Sequence, residues 1–227
     1  LGHRVAICEQ MEDPAEAKKR GSKSVVRRDV VRLVTPGTLT EDDHLDARSA
    51  SYLAALAMVR HGETDFALAW ADISTGETFV SDLAADQLGD EMARIAPAEL
   101  LLTDATRAAL VENHLFAPAW SGIASTIAPD LADSEAAMPL LRSSFPSEAF
   151  DPSALSRAAR AALGALVGYV GESQKGRSAP LRPPLTNAAA ASMAIDAATR
   201  SSLELLITQR GQAKGSLRQA IDLTVTA

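Results

Sequence analysis

The residues best suited to chemistry lie near the start of the chain. Lys18, Lys19, Arg20, Lys23, Arg27 and Arg28 crowd cationic groups into one short stretch. Such groups take phosphate oxygens, which positions a duplex without reading its bases. Residues 1–32 hold eight Lys/Arg against five Asp/Glu, a local +3 in a chain of net charge −7, which leaves −10 for the rest. A basic head on an acidic body puts any anionic partner at the N-terminal end, and argues against a protein that coats nucleic acid with its whole surface. On charge alone, a solvated basic loop remains the alternative. In an extended strand Arg28 and Arg32 would share a face, with Arg27 on the other.

A second constellation is acidic. Asp72-Ile73-Ser74 sits at the end of a strand pattern that feeds a turn. Nucleases with an RNase H-like sheet carry a carboxylate at such a point, with others nearby to hold two Mg²⁺ ions. Glu77, Glu99 and Asp104 are the partners such a site would need, although Asp before Ser-Thr-Gly is also ordinary turn chemistry. His3, His44, His61 and His114 have no metal-ligand spacing, and Cys8 is the single cysteine. A zinc site is therefore not expected, nor an intrachain disulfide, and a reducing cytosolic home fits. Cys8 reads as a small buried hydrophobe, and Trp70 and Trp120 as core. The 227 residues hold no Gly-rich phosphate loop ending in Lys, no Gly-x-Ser-x-Gly and no His-Glu-x-x-His. No catalytic, cofactor or metal residue is expected in them.

The elements that must carry these residues follow from pattern. The hydrophobic share of 47% and charged share of 22% are those of a folded globular chain. Aromatics are 4%, so base-stacking platforms are not expected. Val5–Glu9 reads as a strand, Asp13-Pro14 as the start of a short helix, Gly21–Lys23 as a loop and Ser24–Thr35 as a strand closed by Pro36-Gly37. An acidic connector, Thr40–Asp46, leads to three strands, Tyr52–Arg60, Asp65–Ile73 and Glu77–Ser81, that form an antiparallel meander. Leu88–Ile95 and Asp104–Glu112 read as helices around a strand at Glu99–Leu102, which predicts a mixed α/β layer domain. Residues 121–150 are weakly patterned. Asp151-Pro152 then begins the clearest helix, with one apolar stripe through Leu155, Ala159, Ala162, Leu163, Leu166 and Val170. Gly171–Asn187 reads as a linker. Asp196 caps a helix running through Leu203, Leu206 and Ile207, and Ser216 caps another through Leu217 and Ile221. These read as the start of an all-helical unit. Apolar runs such as Leu53–Val59 fall short of the about 20 residues that span a bilayer, so no membrane partner is expected. The opening at Leu1-Gly2-His3-Arg4 and the end at Thr226-Ala227 read as cut ends of a longer chain.

Three segments together resemble the MutS family of DNA mismatch-recognition ATPases. They are Val5-Ala6-Ile7-Cys8-Glu9-Gln10 with Asp13-Pro14; Val30-Val31-Arg32-Leu33-Val34-Thr35-Pro36-Gly37-Thr38; and Asp196-Ala197-Ala198-Thr199-Arg200-Ser201-Ser202-Leu203-Glu204-Leu205, continued by Gly215-Ser216-Leu217 and Asp222-Leu223-Thr224-Val225-Thr226. Asp72-Ile73-Ser74-Thr75-Gly76 and Pro97-Ala98-Glu99-Leu100-Leu101 match between them. The resemblance implies a layout. Residues 1–38 would be the C-terminal part of the mismatch-binding domain, 39–177 an RNase H-like connector domain without nuclease activity, and 178–227 a linker with the first helices of the core (lever) domain. It implies that Arg28, and less directly Arg27 and Lys23, face the DNA backbone. The mismatch-wedging Phe-x-Glu would lie upstream of Leu1, and the clamp and ATPase, with ATP and Mg, downstream of Ala227. The implied partners are duplex DNA with mismatches, a second copy of the parent chain, and MutL docked partly on the connector near Ser134–Arg142. The implied setting is the bacterial cytoplasm, in association with the nucleoid. For the segment alone the expectation is weak, salt-sensitive duplex binding without mismatch preference. The residues themselves leave two rivals, a metal-dependent RNase H-like nuclease centred on Asp72 and a non-catalytic protein-interaction module.

Overall fold

The computed structural model describes residues 4–21, 24–38, 51–61, 63–146, 148, 150–175, 181–186 and 195–221. Lys23, the acidic connector at 40–46, His3 and His44, and the 222–226 motif lie outside the described residues.

The chain opens with β1 (Val5–Gln10), α1 (Pro14–Lys19) and β2 (Arg28–Val34), and the two strands pair antiparallel as a separate two-stranded sheet. Asp13 caps α1 by accepting from the Ala15 N–H at 2.7 Å, with Pro14 in the first turn. Glu12 closes the loop between α1 and β2. Its carboxylate pairs with the Arg20 guanidinium and accepts from the Arg27 N–H at 2.6 Å.

The register contains one irregularity. Ile7 pairs with Arg32 and Cys8 with Val30, so one step along β1 spans two along β2, and Val31 is the extra residue of a bulge. Directly paired residues lie on one face, and a one-residue shift moves everything beyond it to the other. Arg28, paired with Gln10, therefore lies on the Cys8 face, whereas Arg32 lies on the Ile7 face. The expectation that Arg28 and Arg32 share a face is corrected by this bulge. Cys8 is also exposed rather than buried, because β1 pairs only with β2 among the described residues and is exposed along its whole length.

The larger part of the chain is built on six strands. β3 (Tyr52–His61), β4 (Glu63–Asp72) and β5 (Thr78–Leu83) form the expected antiparallel meander. α2 (Leu88–Ile95) leads to β6 (Glu99–Leu102), which lies parallel to β3. α3 (Asp104–Glu112) leads through a 3-10 turn at Pro118–Gly122 to β7 (Ala124–Thr126), parallel to β6. α4 (Ala137–Ser144), α5 (Arg157–Ser173) and β8 (Leu185–Thr186), parallel to β5, complete the unit. The order across the sheet is β7-β6-β3-β4-β5-β8. The weakly patterned 121–150 thus supplies an edge strand and a helix.

Both faces are covered. Leu53, Ala55, Ala69 and Ala71 pack with Ala158, Ala162, Leu163 and Leu166 of α5. Ala54, Leu56, Leu68 and Trp70 pack with Leu88, Met92 and Ile95 of α2 and Leu110 of α3. Alanines facing alanines let α5 sit close on the sheet, and interiors built this way leave no room for added atoms. At Gly164 a Cβ would lie 2.4 Å from the Ala137 Cβ of α4. That helix–helix approach is why α5 is buried on nearly every side rather than along one stripe. Two details of α5 differ from expectation. Asp151 and Pro152 begin a separate 3-10 turn at Pro152–Ala154, and Ser156 is the true cap, accepting from the Ala159 N–H at 2.9 Å. Gly171 lies inside α5 and not in a linker.

Beyond the sheet, α6 (Ala197–Ser202) is capped by Asp196, which accepts from the Thr199 N–H at 2.7 Å, and α7 is Leu217–Ile221. α6 stops before Leu206 and Ile207, which are exposed together with Leu203 and Ile221. About half or more of each of these residues stays in solvent, so little packing is available to hold a longer helix, and short helices need such packing.

Candidate nucleic-acid interface

The expected DNA-facing arginines lie at the end of the strand pair that the α1 connection joins. Arg28 begins β2 opposite Gln10, and Arg27 precedes it, its carbonyl accepting from the Met11 N–H at 2.9 Å. Both arginines are exposed. Lys18 and Lys19 are exposed in the last turn of the neighbouring α1. Arg20 is engaged by Glu12, so it closes the loop instead of presenting a free cation. The strand's two faces differ near this end. Arg28 shares its face with Gln10 and Cys8, while the paired Glu9 and Asp29 occupy the other. Gln10 and Cys8 are uncharged, so on that face no paired acid competes with an anion for Arg28.

The other end of β2 meets the large sheet. Thr35-Pro36-Gly37-Thr38 closes as a turn, the Thr38 N–H donating to the Thr35 carbonyl at 3.0 Å and the Thr35 N–H to Thr38 Oγ1 at 2.9 Å. Glu99, at the first position of β6, receives it: the Gly37 N–H donates to Oε2 at 3.1 Å. On Oε1 the carboxylate accepts from Ser125 Oγ at 2.6 Å and Tyr169 Oη at 2.9 Å. Arg4 stands 3.8 Å away, half in solvent, while Glu99 is 1% exposed. Burial, then the charge and hydrogen bond of Glu99, push the Tyr169 phenol up to about 12. Tyr169 and this seat were not apparent in sequence. The available signal was a tyrosine in an otherwise apolar helix face.

The carboxylates considered for metal-assisted hydrolysis do not converge. Asp72 pairs with Tyr52 and Glu99 with Leu53, so the two acids lie on opposite faces of the sheet. Asp72 Oδ1 accepts from the Ser74 N–H at 2.9 Å, Ser74 Oγ at 2.6 Å and the Thr75 N–H at 3.4 Å, which is turn chemistry. Asp104 sits at the start of α3, where Thr126 Oγ1 donates to it at 3.3 Å. Among the described residues no three His, Cys, Asp or Glu side chains group as a metal site. Asp72 and Glu77 do act together on Tyr52, whose phenol is raised first by burial and then by their charges, against a smaller lowering from Arg94.

A cationic two-stranded hairpin seated on a mixed α/β sheet domain defines a modular chain with its charged contact surface apart from its core. Comparison with known proteins gives the family. The description MutS domain I matches residues 1–43, and MutS domain II matches residues 51–184. The DNA mismatch repair protein MutS of Rhodopseudomonas palustris strain BisB5 is 49% identical over 100% of this chain and 24% of its own length. Those of Dinoroseobacter shibae and Azorhizobium caulinodans are 51% and 45% identical, again over 100% of this chain and 25% of theirs. The chain belongs to the MutS family of DNA mismatch repair proteins, and it spans about a quarter of the length of these curated relatives. No helix among the described residues is long and apolar enough to cross a membrane.

Proposed function

We propose that this chain is the DNA-facing and connecting segment of a mismatch-recognition ATPase. The carrying observation is the exposed Arg27–Arg28 pair where the α1 connection enters β2, within the MutS domain I match. Arg28 and Arg27, with Lys23, contact the DNA backbone and set the position of the duplex without choosing its sequence. Residues 1–38 form the C-terminal part of the mismatch-binding domain, 39–177 an RNase H-like connector, and 178–227 the linker and first helices of the core domain. The connector reading is supported by a three-stranded antiparallel meander whose first strand is followed on its other side by two parallel strands. The segment itself supplies no catalysis. The parent protein recognises mispaired or looped-out bases as a dimer, uses ATP and Mg, engages MutL through the connector, and works in the cytoplasm in association with the nucleoid. ATP would supply the energy for conformational turnover, but the residues present do not fit that nucleotide, since no Gly-x-x-x-x-Gly-Lys run occurs here.

The test is Arg27→Ala/Arg28→Ala in the full-length protein, with affinity measured on matched and mismatched duplexes. Backbone contacts carry no sequence information, so both affinities fall by the same factor and their ratio holds. A loss confined to the mismatched duplex, or no loss on either, contradicts the assignment.

A further inference from the structure

We propose that Glu99 is a positioning residue that fixes the basic hairpin on the sheet, so that DNA contact at one end of β2 and the connecting sheet at the other move as one body. This rests on the reading of residues 1–38 as DNA-facing.

The geometry begins with the cost of the group. A carboxylate out of water is expensive unless hydrogen-bonded. Glu99 is 1% exposed, and the cation paired with it among the described residues, Arg4, stands off at 3.8 Å. What compensates it is three donors from three separate elements: the Gly37 amide after β2, Ser125 in β7 and Tyr169 in α5. One of these three belongs to the hairpin unit, so withdrawing the hairpin leaves the buried charge short of a donor. The polar demand of the sheet therefore holds the hairpin in place.

Shape agrees with charge. A Cβ on Gly37 would lie 2.7 Å from Leu53 Cδ1 and 2.9 Å from the Glu99 Cβ, so only glycine lets the backbone approach this closely. Thr35 and Thr38 are buried, and their hydroxyls pair at 2.9 Å, which keeps the turn closed as it seats. A cavity of about 260 Å³ opens beside the seat, lined by Arg4, Leu33, Thr35, Leu131 and Tyr169 among others. A two-stranded sheet is marginal by itself, so its direction relative to the large sheet depends on such a fixed point.

The test uses the full-length protein and reads two things, amide hydrogen exchange and DNA affinity. In Glu99→Leu the Gly37 amide loses a charge-assisted partner and exchanges roughly ten- to hundred-fold faster. The β1–β2 amides follow, β3–β4 amides stay at wild-type rates, and DNA binding weakens with its salt dependence unchanged. Glu99→Gln recovers most of this protection, because its amide oxygen can face the Gly37 N–H while its NH₂ donates to the Ser125 and Tyr169 hydroxyls. Gly37→Val breaks the seat from the hairpin side, with every sheet side chain intact, and gives the same pattern. Wild-type exchange at the hairpin in both Glu99→Leu and Gly37→Val overturns the proposal. So does equal acceleration in β3–β4, which would make Glu99 a support of the sheet alone. Arg28→Ala, run alongside, separates the two levels. If it weakens DNA binding while Glu99→Leu and Gly37→Val do not, the positioning role fails and the DNA-facing reading stands. If none of the three weakens binding, both fail.

Discussion

The hairpin and the six-stranded sheet solve opposite problems with the same kind of secondary structure. β1 is exposed along its entire length, and its partner β2 starts with exposed Arg28, preceded by exposed Arg27. The middle of β3 and β4, by contrast, is closed to water on both faces, with Leu53, Ala54, Leu68 and Ala69 at 0% exposure. One region keeps its side chains available and accepts low intrinsic stability. The other buries nearly everything and supplies a rigid base. Regions that bind commonly come from the less stable end of a molecule, and here the two are linked through the buried Glu99 carboxylate. The contrast teaches that stability and contact are kept in separate elements, so mutations in them should read out differently.

Core truncation should break the contrast most severely. Leu68→Ala is expected to cost about 2–5 kcal/mol in denaturant unfolding, as buried Leu truncations do. Val25→Ala, at 83% exposure in the hairpin unit, should stay within about 0.5 kcal/mol. Gly164→Ala comes next. Its added methyl would meet Ala137 at 2.4 Å, and overpacking of this kind costs about 1–3 kcal/mol by the same measurement. A smaller effect sharpens the contrast at the seat. The Tyr169 phenol stands at about 12 in the folded chain against an ordinary 10.0. A raised value means the neutral form is favoured on folding. That stabilisation is therefore complete below pH 10 and is lost as pH rises through about 12. Unfolding midpoints taken across this range should fall in the wild type and flatten in Tyr169→Phe. The smallest effect is at acid pH. Asp133, Asp151 and Asp196 are held below the usual carboxylate value, chiefly by hydrogen bonds from Ala136, Ser153 and Thr199. Their contribution is present above the ordinary carboxylate value and fades as pH falls through the lowered ones. Asp196→Asn should reduce that acid sensitivity slightly.

How legible each region was follows from the same contrast. The meander could be read because β3 and β4 are apolar runs and Ser74-Thr75-Gly76 marks a turn before β5, and the helix caps at Asp13 and Asp196 were visible as side-chain chemistry, whereas Asp151 caps only the 3-10 turn ahead of α5. The Arg27–Arg28 pair was visible as charge. What local pattern could not carry was distance and irregularity. Gly37 and Glu99 are 62 positions apart, and Tyr169 and Glu99 are 70 apart. No spacing rule connects them, so Glu99 was legible only as an acid and a family motif residue. The bulge at Val31 has no glycine or proline to announce it, yet it reverses the face of Arg32. β7 and β8, at three and two residues, are too short for periodicity to show. α6 ended early because helix length depends on packing partners, which propensity does not encode.

The central claim is that the hairpin, and not the sheet domain, holds the DNA backbone. The most direct measurement is the salt dependence of duplex affinity in the full-length protein for the wild type, Arg28→Ala, and Arg142→Ala, whose exposed arginine lies on α4 of the sheet domain. Each phosphate contact contributes about one unit to the slope of log affinity against log salt. The account predicts that Arg28→Ala lowers that slope by about one on matched and mismatched DNA alike, with Arg142→Ala indistinguishable from wild type. An unchanged slope in Arg28→Ala, or an equal drop in Arg142→Ala, would contradict it.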